Sequence, residues 1–358
     1  MKINFVLPFY SRFPGGGIKI MYEYANRLTK LGHDVVIYHC IDTPYTNYPI
    51  TRPFFIRKII QKVFYGSNPK PEWFLFDDRV TLCFIDRVEQ KVIRDADIII
   101  STWWSIVEPI SKLPDSKGQR INLVQGYEIW EGNEELVHDS YKFSNVNYLA
   151  ISQFLKSTIE KYNGEDVSTL IYNSISLDAF KITTPIEERD NFHIGMLYSD
   201  NDSTKGTIYG IEALKRLKEK YKNLRCTFFG IFPLDKERIP EWVTYHRNPN
   251  NLVSLYNSFS IFVSPSVNEG FGLTPVEAMA CGCAVVATNI PGHRAFLSEG
   301  SNLCVTPSDV DDLFLKISQL LMDEGDRIKM AKAGNELVQK FDWENGVTQM
   351  ENYMKSLI

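Results

Sequence analysis

Short apolar runs alternate with amphipathic stretches along the first half of the chain. Residues 2–10, KINFVLPFY, read as a buried strand, and the glycine-rich turn Phe13–Gly17 follows. Ile20, Tyr24, Leu28 and Leu31 then recur at helical spacing, which predicts an amphipathic helix over 18–31. Gly32 suits the left-handed residue after a helix C-terminus. HDVVIYHC, 33–40, is the next strand, so the opening segment is a βαβ unit, the building block of right-handed parallel sheets. Further strands are expected at 80–84, 97–101, 121–124, 148–151 and 169–171, with Ser152 capping a helix over 153–162.

The alternation pauses at 181–191, KITTPIEERDN, a polar stretch read as a linker, and then restarts. Strands are expected at 193–199, 226–232, 242–247, 261–266 and 284–289, and helices at 207–221, 309–322 and 326–341. Ile208, Ile211, Leu214 and Leu217 would share one helix face. The final stretch, 341–358, aligns Val347, Met350, Tyr353 and Met354 on a closing helix. The pattern therefore predicts an N-terminal α/β domain over 1–180, the linker, a C-terminal α/β domain over 192–340 and a last helix. In doubly wound sheets, ligands bind outside the strand C-termini.

A length of 358 residues suits two domains, and 44% hydrophobic with 23% charged residues excludes wholesale disorder. The 39 basic and 44 acidic residues give a net charge of -5, which argues against a dedicated nucleic-acid binder. Six cysteines, at 40, 83, 226, 281, 283 and 304, show no C-x-x-C spacing. They read as small buried hydrophobes in a reducing, cytoplasmic compartment. The apolar start is interrupted by Asn4 and Pro8 and reads as a strand, not a signal peptide. No apolar run reaches the ~18 residues of a membrane span.

The most informative segment is 261–288, IFVSPSVNEGFGLTPVEAMACGCAVVAT. A buried strand enters a loop holding Glu269, Gly270, Phe271 and Gly272, and a helix follows, with Thr274 expected as N-cap and Pro275 at its first position. Two readings of Glu277 stand. It can close a capping box with Thr274. Alternatively, the glycines admit an anion to the helix N-terminus, and the two carboxylates accept hydrogen bonds from sugar hydroxyls.

This segment resembles the E-x7-E region of retaining glycosyltransferases of family 4, which have the GT-B fold. Other matches lie in order along nearly the whole chain: Gly15-Gly16-Gly17, Gly32-His33-Asp34-Val35, Tyr172-Asn173-Ser174 with Phe180, Lys205-Gly206, Pro291-Gly292 and Phe341-Asp342-Trp343. The resemblance implies two Rossmann-like doubly wound domains facing an interdomain cleft, the closing helix crossing back to the N-terminal domain. It also implies a sugar donor of the UDP, GDP or dTDP type, held mainly by the C-terminal domain.

Residue by residue, the resemblance implies that Glu277 binds the ribose and Glu269 the donor sugar. Backbone N–H groups of Phe271, Gly272, Leu273 and Thr274 would hold the distal phosphate, Gly270 would also belong to the donor site, and Lys205 would neutralise the leaving diphosphate. Gly16 and Gly17 would close over the donor, and the base would lie near Gly230, His246, Arg247 and Asn248. No metal or other cofactor is implied. The acceptor is expected to be a glycan, a lipid-linked sugar or another glycoconjugate in surface polysaccharide biosynthesis.

Two features of the family are missing. The segment 195–199 lacks the usual arginine, so Tyr198 or Ser199 is expected to meet the phosphate, and 123–128 lacks the usual histidine, leaving Gln125, Tyr127 or Glu128 in its place. Glu128 reads either as an assistant to the acceptor hydroxyl or as a solvated loop residue. These losses keep open the alternative of an inactive binding partner of another transferase; another GT-B enzyme, an epimerase or phosphorylase, is a third reading.

The D-x-D pairs Asp95/Asp97 and Asp200/Asp202 are read as local structure, not metal sites, and Cys281-Gly282-Cys283 as packing. Residues 52–65, RPFFIRKIIQKVFY, combine basic and apolar positions. They read either as a peripheral contact with the inner face of the membrane or as an ordinary helix packed on its own domain. Trp103 and Trp104, among several N-terminal aromatics, are candidates for stacking on acceptor sugars.

Overall fold

The computed structural model describes residues 1–43, 55–56, 58–59, 70–129, 133–164, 168–200, 202–298, 300 and 302–358. The chain forms two compact units, 1–172 with 346–358, and 173–345.

The first unit runs β1 (Lys2–Leu7), α1 (Gly16–Lys30), β2 (Asp34–Cys40), β3 (Thr81–Ile85), β4 (Ile98–Ser101), α2 (Trp104–Ser111), β5 (Gln119–Val124), α3 (Glu134–Ser140), β6 (Asn147–Ala150), α4 (Gln153–Asn163) and β7 (Ser168–Leu170). The described strands form one parallel sheet in the order β3-β2-β1-β4-β5-β6-β7. Ile3 pairs with Val35 on one side and Ile98 on the other, so the winding reverses between β1 and β4. The first strand stops at Leu7 rather than continuing to Tyr10, because Pro8 has no N–H for the ladder. The first helix begins at Gly16, two residues earlier than the apolar stripe suggests. Leu31, read as the end of that stripe, is 51% exposed, and Gly32 takes the expected left-handed backbone at φ 91°. Ser152 caps α4 by accepting from Leu155 N.

The second unit runs β8 (His193–Leu197), α5 (Asp202–Lys205), α6 (Thr207–Lys220), β9 (Arg225–Gly230), β10 (Val243–Arg247), α7 (Leu252–Ser258), β11 (Ile261–Ser264), α8 (Leu273–Ala280), β12 (Ala284–Thr288), β13 (Leu303–Val305), α9 (Val310–Met322) and α10 (Glu324–Val338). Its parallel sheet has the order β10-β9-β8-β11-β12-β13, so its reversal falls between β8 and β11. Ile194, Met196, Phe228, Ile261, Val263 and Val286 fill the core against Leu214, Leu313 and Ile317. Ile208, expected on the buried face of α6, is exposed at its first turn.

The polar stretch 181–191 is not a free linker: it belongs to the second unit, and the division lies at Tyr172/Asn173. Arg189 anchors it. The buried guanidinium donates to the carbonyls of Thr184, Phe259, Cys281 and Gly282 and to Asn257 Oδ1. Hydrophobic positions surround a charge that the local composition suggested was solvated. The last helix, α11 (Trp343–Ser356), begins in the second unit and ends among residues of the first, with Val347, Met350 and Met354 buried.

Candidate functional site

The second sheet's reversal point is where its chemistry gathers. Beyond β8 the chain makes the α5 turn, which ends in Lys205 and Gly206. Gly206 has φ 58°, and a Cβ there would meet the Pro265 carbonyl oxygen at 2.2 Å. Only glycine permits that approach. The Thr204 carbonyl accepts from Val267 N at 2.8 Å and Asn268 N at 3.0 Å, so the turn is stitched to the loop after β11. This seam delivers Lys205 Nζ to Glu269 Oε1 at 2.5 Å. Ser266 Oγ donates to the same oxygen at 3.0 Å.

The loop 266–272 is held from its other side by residues 291–296. A Cβ on Gly292 would meet the Glu269 carbonyl oxygen at 2.0 Å, and one on Gly272 would meet the His293 ring at 2.7 Å. Phe271 is buried edge-on against Phe341 at 5.2 Å between centroids. The loop backbone is thus fixed by contacts far apart in sequence.

Those contacts also decide where α8 starts. Gly272, at φ 93°, is the N-cap, no side chain caps the helix, and Thr274 lies inside the first turn. The capping box expected between Thr274 and Glu277 does not form. Glu277 is 4% exposed and accepts from Tyr256 Oη at 3.1 Å. Gly270, Leu273 and Thr274 remain partly exposed at an uncapped helix N-terminus, which favours an anion.

Electrostatics sharpen the picture. Burial would push the Glu269 carboxyl up, but the Lys205 charge and the hydrogen bonds from Lys205 and Ser266 outweigh it and hold Glu269 below the usual carboxylate range. His293 is fully buried, and burial lowers its pKa to about 4, so it is neutral. Its Nδ1–H donates to the Thr288 carbonyl at 3.0 Å, which leaves Nε2 a bare acceptor with no partner among the described residues. Sequence reasoning passed over His293, Ser266 and Tyr256, because no local pattern marks a side chain that acts through loop packing.

The other expected donor-site residues are distributed as follows. Tyr198 is in the core, its hydroxyl accepting from Asp235 N at 3.4 Å, rather than at an open surface. Ser199 is buried, with its N–H donating to Thr207 Oγ1. Gly230 closes β9 against β8, where a Cβ would meet the Tyr198 carbonyl oxygen at 2.3 Å. His246, Arg247 and Asn248 are exposed at the C-terminal end of the edge strand β10.

In the first unit Gly16 and Gly17 form the opening turn of α1, and Gln125 Nε2 donates to Gly17 O at 3.0 Å and to Thr102 Oγ1 at 3.1 Å. Tyr127 Oη and His138 Nε2 share a hydrogen bond of 2.7 Å. Glu128 is not a solvated loop residue: it is buried, accepts from Trp104 N at 3.0 Å, and burial raises its pKa to about 8. Trp104 is likewise buried, and Trp103, at φ 83°, lies edge-on to Phe9. Most of the basic stretch 52–65 falls outside the described residues. Among the described residues no cluster of metal-ligating side chains occurs, and no helix is long and apolar enough to cross a membrane.

Residues 187–337 match the family described as "Glycosyl transferases group 1", a match that contains Lys205, Glu269 and Glu277. The second unit is thus similar to group 1 glycosyltransferases over most of its length. Over 112 residues the chain is 39% identical to the D-inositol 3-phosphate glycosyltransferase of Corynebacterium urealyticum, covering 31% of this chain and 26% of that protein. Over 118 residues it is 36% identical to the O-antigen chain mannosyltransferase B of Escherichia coli, covering 32% and 31%. The chain thus spans less than a third of these relatives' lengths. Anabaena HepE, solved in complex with UDP, aligns over 100% of both chains with a TM-score of 0.75 and 16% identity. That likeness shows the fold: two parallel-sheet α/β units in the GT-B arrangement of elements.

Proposed function

We propose that the chain is a retaining glycosyltransferase that moves a sugar from a nucleoside-diphosphate donor to a hydroxyl of a glycan, lipid-linked or other glycoconjugate acceptor in surface polysaccharide biosynthesis. The observation that carries this reading is the Lys205–Glu269 pair beside the uncapped, glycine-entered N-terminus of α8. Support comes from the group 1 match around that pair and from a relative named as an O-antigen mannosyltransferase. HepE, crystallised with UDP, supports a nucleotide donor.

In this reading, breaking the bond between the anomeric carbon and the β-phosphate oxygen leaves negative charge on the diphosphate and positive charge on the sugar. The Lys205 ammonium and the first-turn N–H groups of α8 stabilise the leaving charge without reorganising. Glu269 orients Lys205 and accepts from donor-sugar hydroxyls, and Glu277 accepts from the ribose. The cation in this proposal is the lysine, and no step is assigned to a metal. The acceptor is assigned to the first unit, where Gln125 and Tyr127 are the polar groups after β5. The carboxylates of Glu269 and Glu277 hold hydroxyls and are not the acid/base pair of a hydrolase.

A panel of UDP-, GDP- and dTDP-sugars tests the reading. One nucleotide class should raise the melting temperature, and NMR of the product should show the donor's anomeric configuration kept. Binding without release of nucleotide would mark an inactive partner, and no binding to any donor would overturn the proposal.

A further inference from the structure

We propose that His293 is a positioning residue for the transfer site: through a buried hydrogen-bond relay it aims the Glu269 carboxylate and, with it, Lys205 at the donor diphosphate. This inference rests on the glycosyl-transfer reading above.

The relay is continuous from ring to carboxylate. His293 Nδ1–H donates to the Thr288 carbonyl at 3.0 Å, Thr288 Oγ1–H to the Ser266 carbonyl at 2.5 Å, and Ser266 Oγ–H to Glu269 Oε1 at 3.0 Å. His293, Thr288 and Ser266 are all buried, so water does not compete for these bonds. The relay starts where the sheet gives out. The β11–β12 ladder ends at Ser264 opposite Ala287, and the Thr288 hydroxyl carries the pairing one step further, onto the loop that holds Glu269.

The carboxylate shows what the relay achieves. Ser266 and Lys205 both donate to Oε1. Oε2 has no hydrogen-bond partner among the described residues, on a side chain that is 15% exposed. One oxygen is thus held by protein donors, and the other is left to accept from a sugar hydroxyl. Lys205 spends one of its three N–H groups on Oε1 and keeps the others for a diphosphate. The last torsion of a glutamate is soft, so without the serine the two oxygens would exchange places and the ammonium would lose its fixed aim.

The same ring backs the second half of the cradle. A Cβ on Gly272, the N-cap of α8, would lie 2.7 Å from His293 Cδ2 and 2.9 Å from Nε2. Burial keeps the imidazole neutral, so it adds no second positive charge beside the Lys205–Glu269 pair.

Calorimetry of the full chain with the mono- and diphosphates of uridine, guanosine and thymidine tests the relay. The readout is the preference for the diphosphate over the monophosphate of the same base, which a general loosening of the fold would not move. His293→Phe keeps a ring and removes the donor. Thr288→Val cuts the next link at similar volume. His293→Asn restores an N–H at the Nδ1 position without the ring. The wild type should prefer the diphosphate of at least one base. That preference should fall about tenfold in His293→Phe and Thr288→Val, the scale of one hydrogen bond, and stay within about threefold of wild type in His293→Asn, with monophosphate affinity unchanged in all three. An unchanged preference in His293→Phe or Thr288→Val, equal weakening of mono- and diphosphate, or a loss in His293→Asn as large as in the other two overturns the relay and leaves the transfer reading standing. Should His293→Phe fail to fold, the contrast between Thr288→Val and His293→Asn decides on the same terms. A wild type that binds none of the six nucleotides, or binds mono- and diphosphate alike, discards the diphosphate site and the relay with it.

Discussion

Replacing Lys205 with Met removes the cation that faces Glu269 while keeping most of the side chain's bulk. The ammonium lies 2.5 Å from the carboxylate oxygen, with the side chains 32% and 15% exposed. An exposed ion pair contributes ~0–1 kcal/mol, whereas stripping one partner from a buried pair costs ~3–5 kcal/mol. This pair lies between those cases, and Ser266 stays on the same oxygen, so Lys205→Met should lose about 1–2 kcal/mol at pH 7. The loss should depend on pH. Glu269 is held below its ordinary pKa, so its contribution is present above the unfolded carboxylate value of ~4.3 and fades as pH falls through the lower folded value. The gap between wild type and variant should therefore narrow in acid. Urea denaturation of wild type, Lys205→Met, Glu269→Gln and the double variant, at pH 7 and near pH 4, reads the coupling directly. In parallel, the bound nucleoside diphosphate should weaken about ten- to 150-fold, the value of a charge-assisted hydrogen bond of ~1.5–3 kcal/mol. A coupling energy within ~0.5 kcal/mol of zero, with unchanged diphosphate affinity, would refute both the pair and its role.

Gly272→Ala should cost about 2–4 kcal/mol in a denaturation midpoint, because left-handed backbone and the His293 ring both oppose a Cβ; a neutral outcome would mean the loop does not pack as described. Glu277→Ala should weaken nucleotide binding about tenfold by calorimetry, and a lower melting temperature with unchanged affinity would reduce Glu277 to a partner of Tyr256. Glu128 is protonated in the folded chain up to about pH 8, so the folded state binds more protons than the unfolded state above ~4.3 and its stability contribution is lost as pH rises through that window. Glu128→Gln should therefore gain on wild type between pH 5 and 8, by about 1 kcal/mol or more, and parallel stability curves would contradict it. Arg189→Met leaves several buried carbonyls without a donor and should cost about 3 kcal/mol, measured by urea unfolding, with no loss expected only if 181–191 were a free tether.

Local pattern was enough for much of the fold. Where the two-residue and 3.6-residue periods are clear they locate strands and helices within a few residues, since burial of one face is written in nearest neighbours, but they left the short helices α2, α3 and α7 and the strand β13 unread. They fail at ends, as at Leu31 and Ile208, where the stripe runs on but the packed surface does not. They also fail at 181–191, where charge suggested solvent and Arg189 instead found carbonyls supplied by residues 68 to 93 positions away along the chain.

For the candidate site, the order of residue types sufficed to nominate Lys205, Glu269, Glu277 and the glycines, through resemblance. It misjudged the start of α8, because Thr-Pro-x-Glu is a capping signal only when the preceding chain leaves the cap position to threonine. Here Gly272 is pinned by His293 and Gly292 against Glu269, and those contacts take the cap position first.

The sequence by itself determined the two α/β units, their parallel winding and the residue types that meet an anion, because period, turn chemistry and glycine placement act over a few residues. Only the tertiary structure decided that Lys205 meets Glu269, that His293 sits neutral beneath the loop and that Tyr198 belongs to the core. Each of those outcomes depends on where distant segments close to van der Waals contact, and such closure is set by packing of the whole unit rather than by any local run of residues.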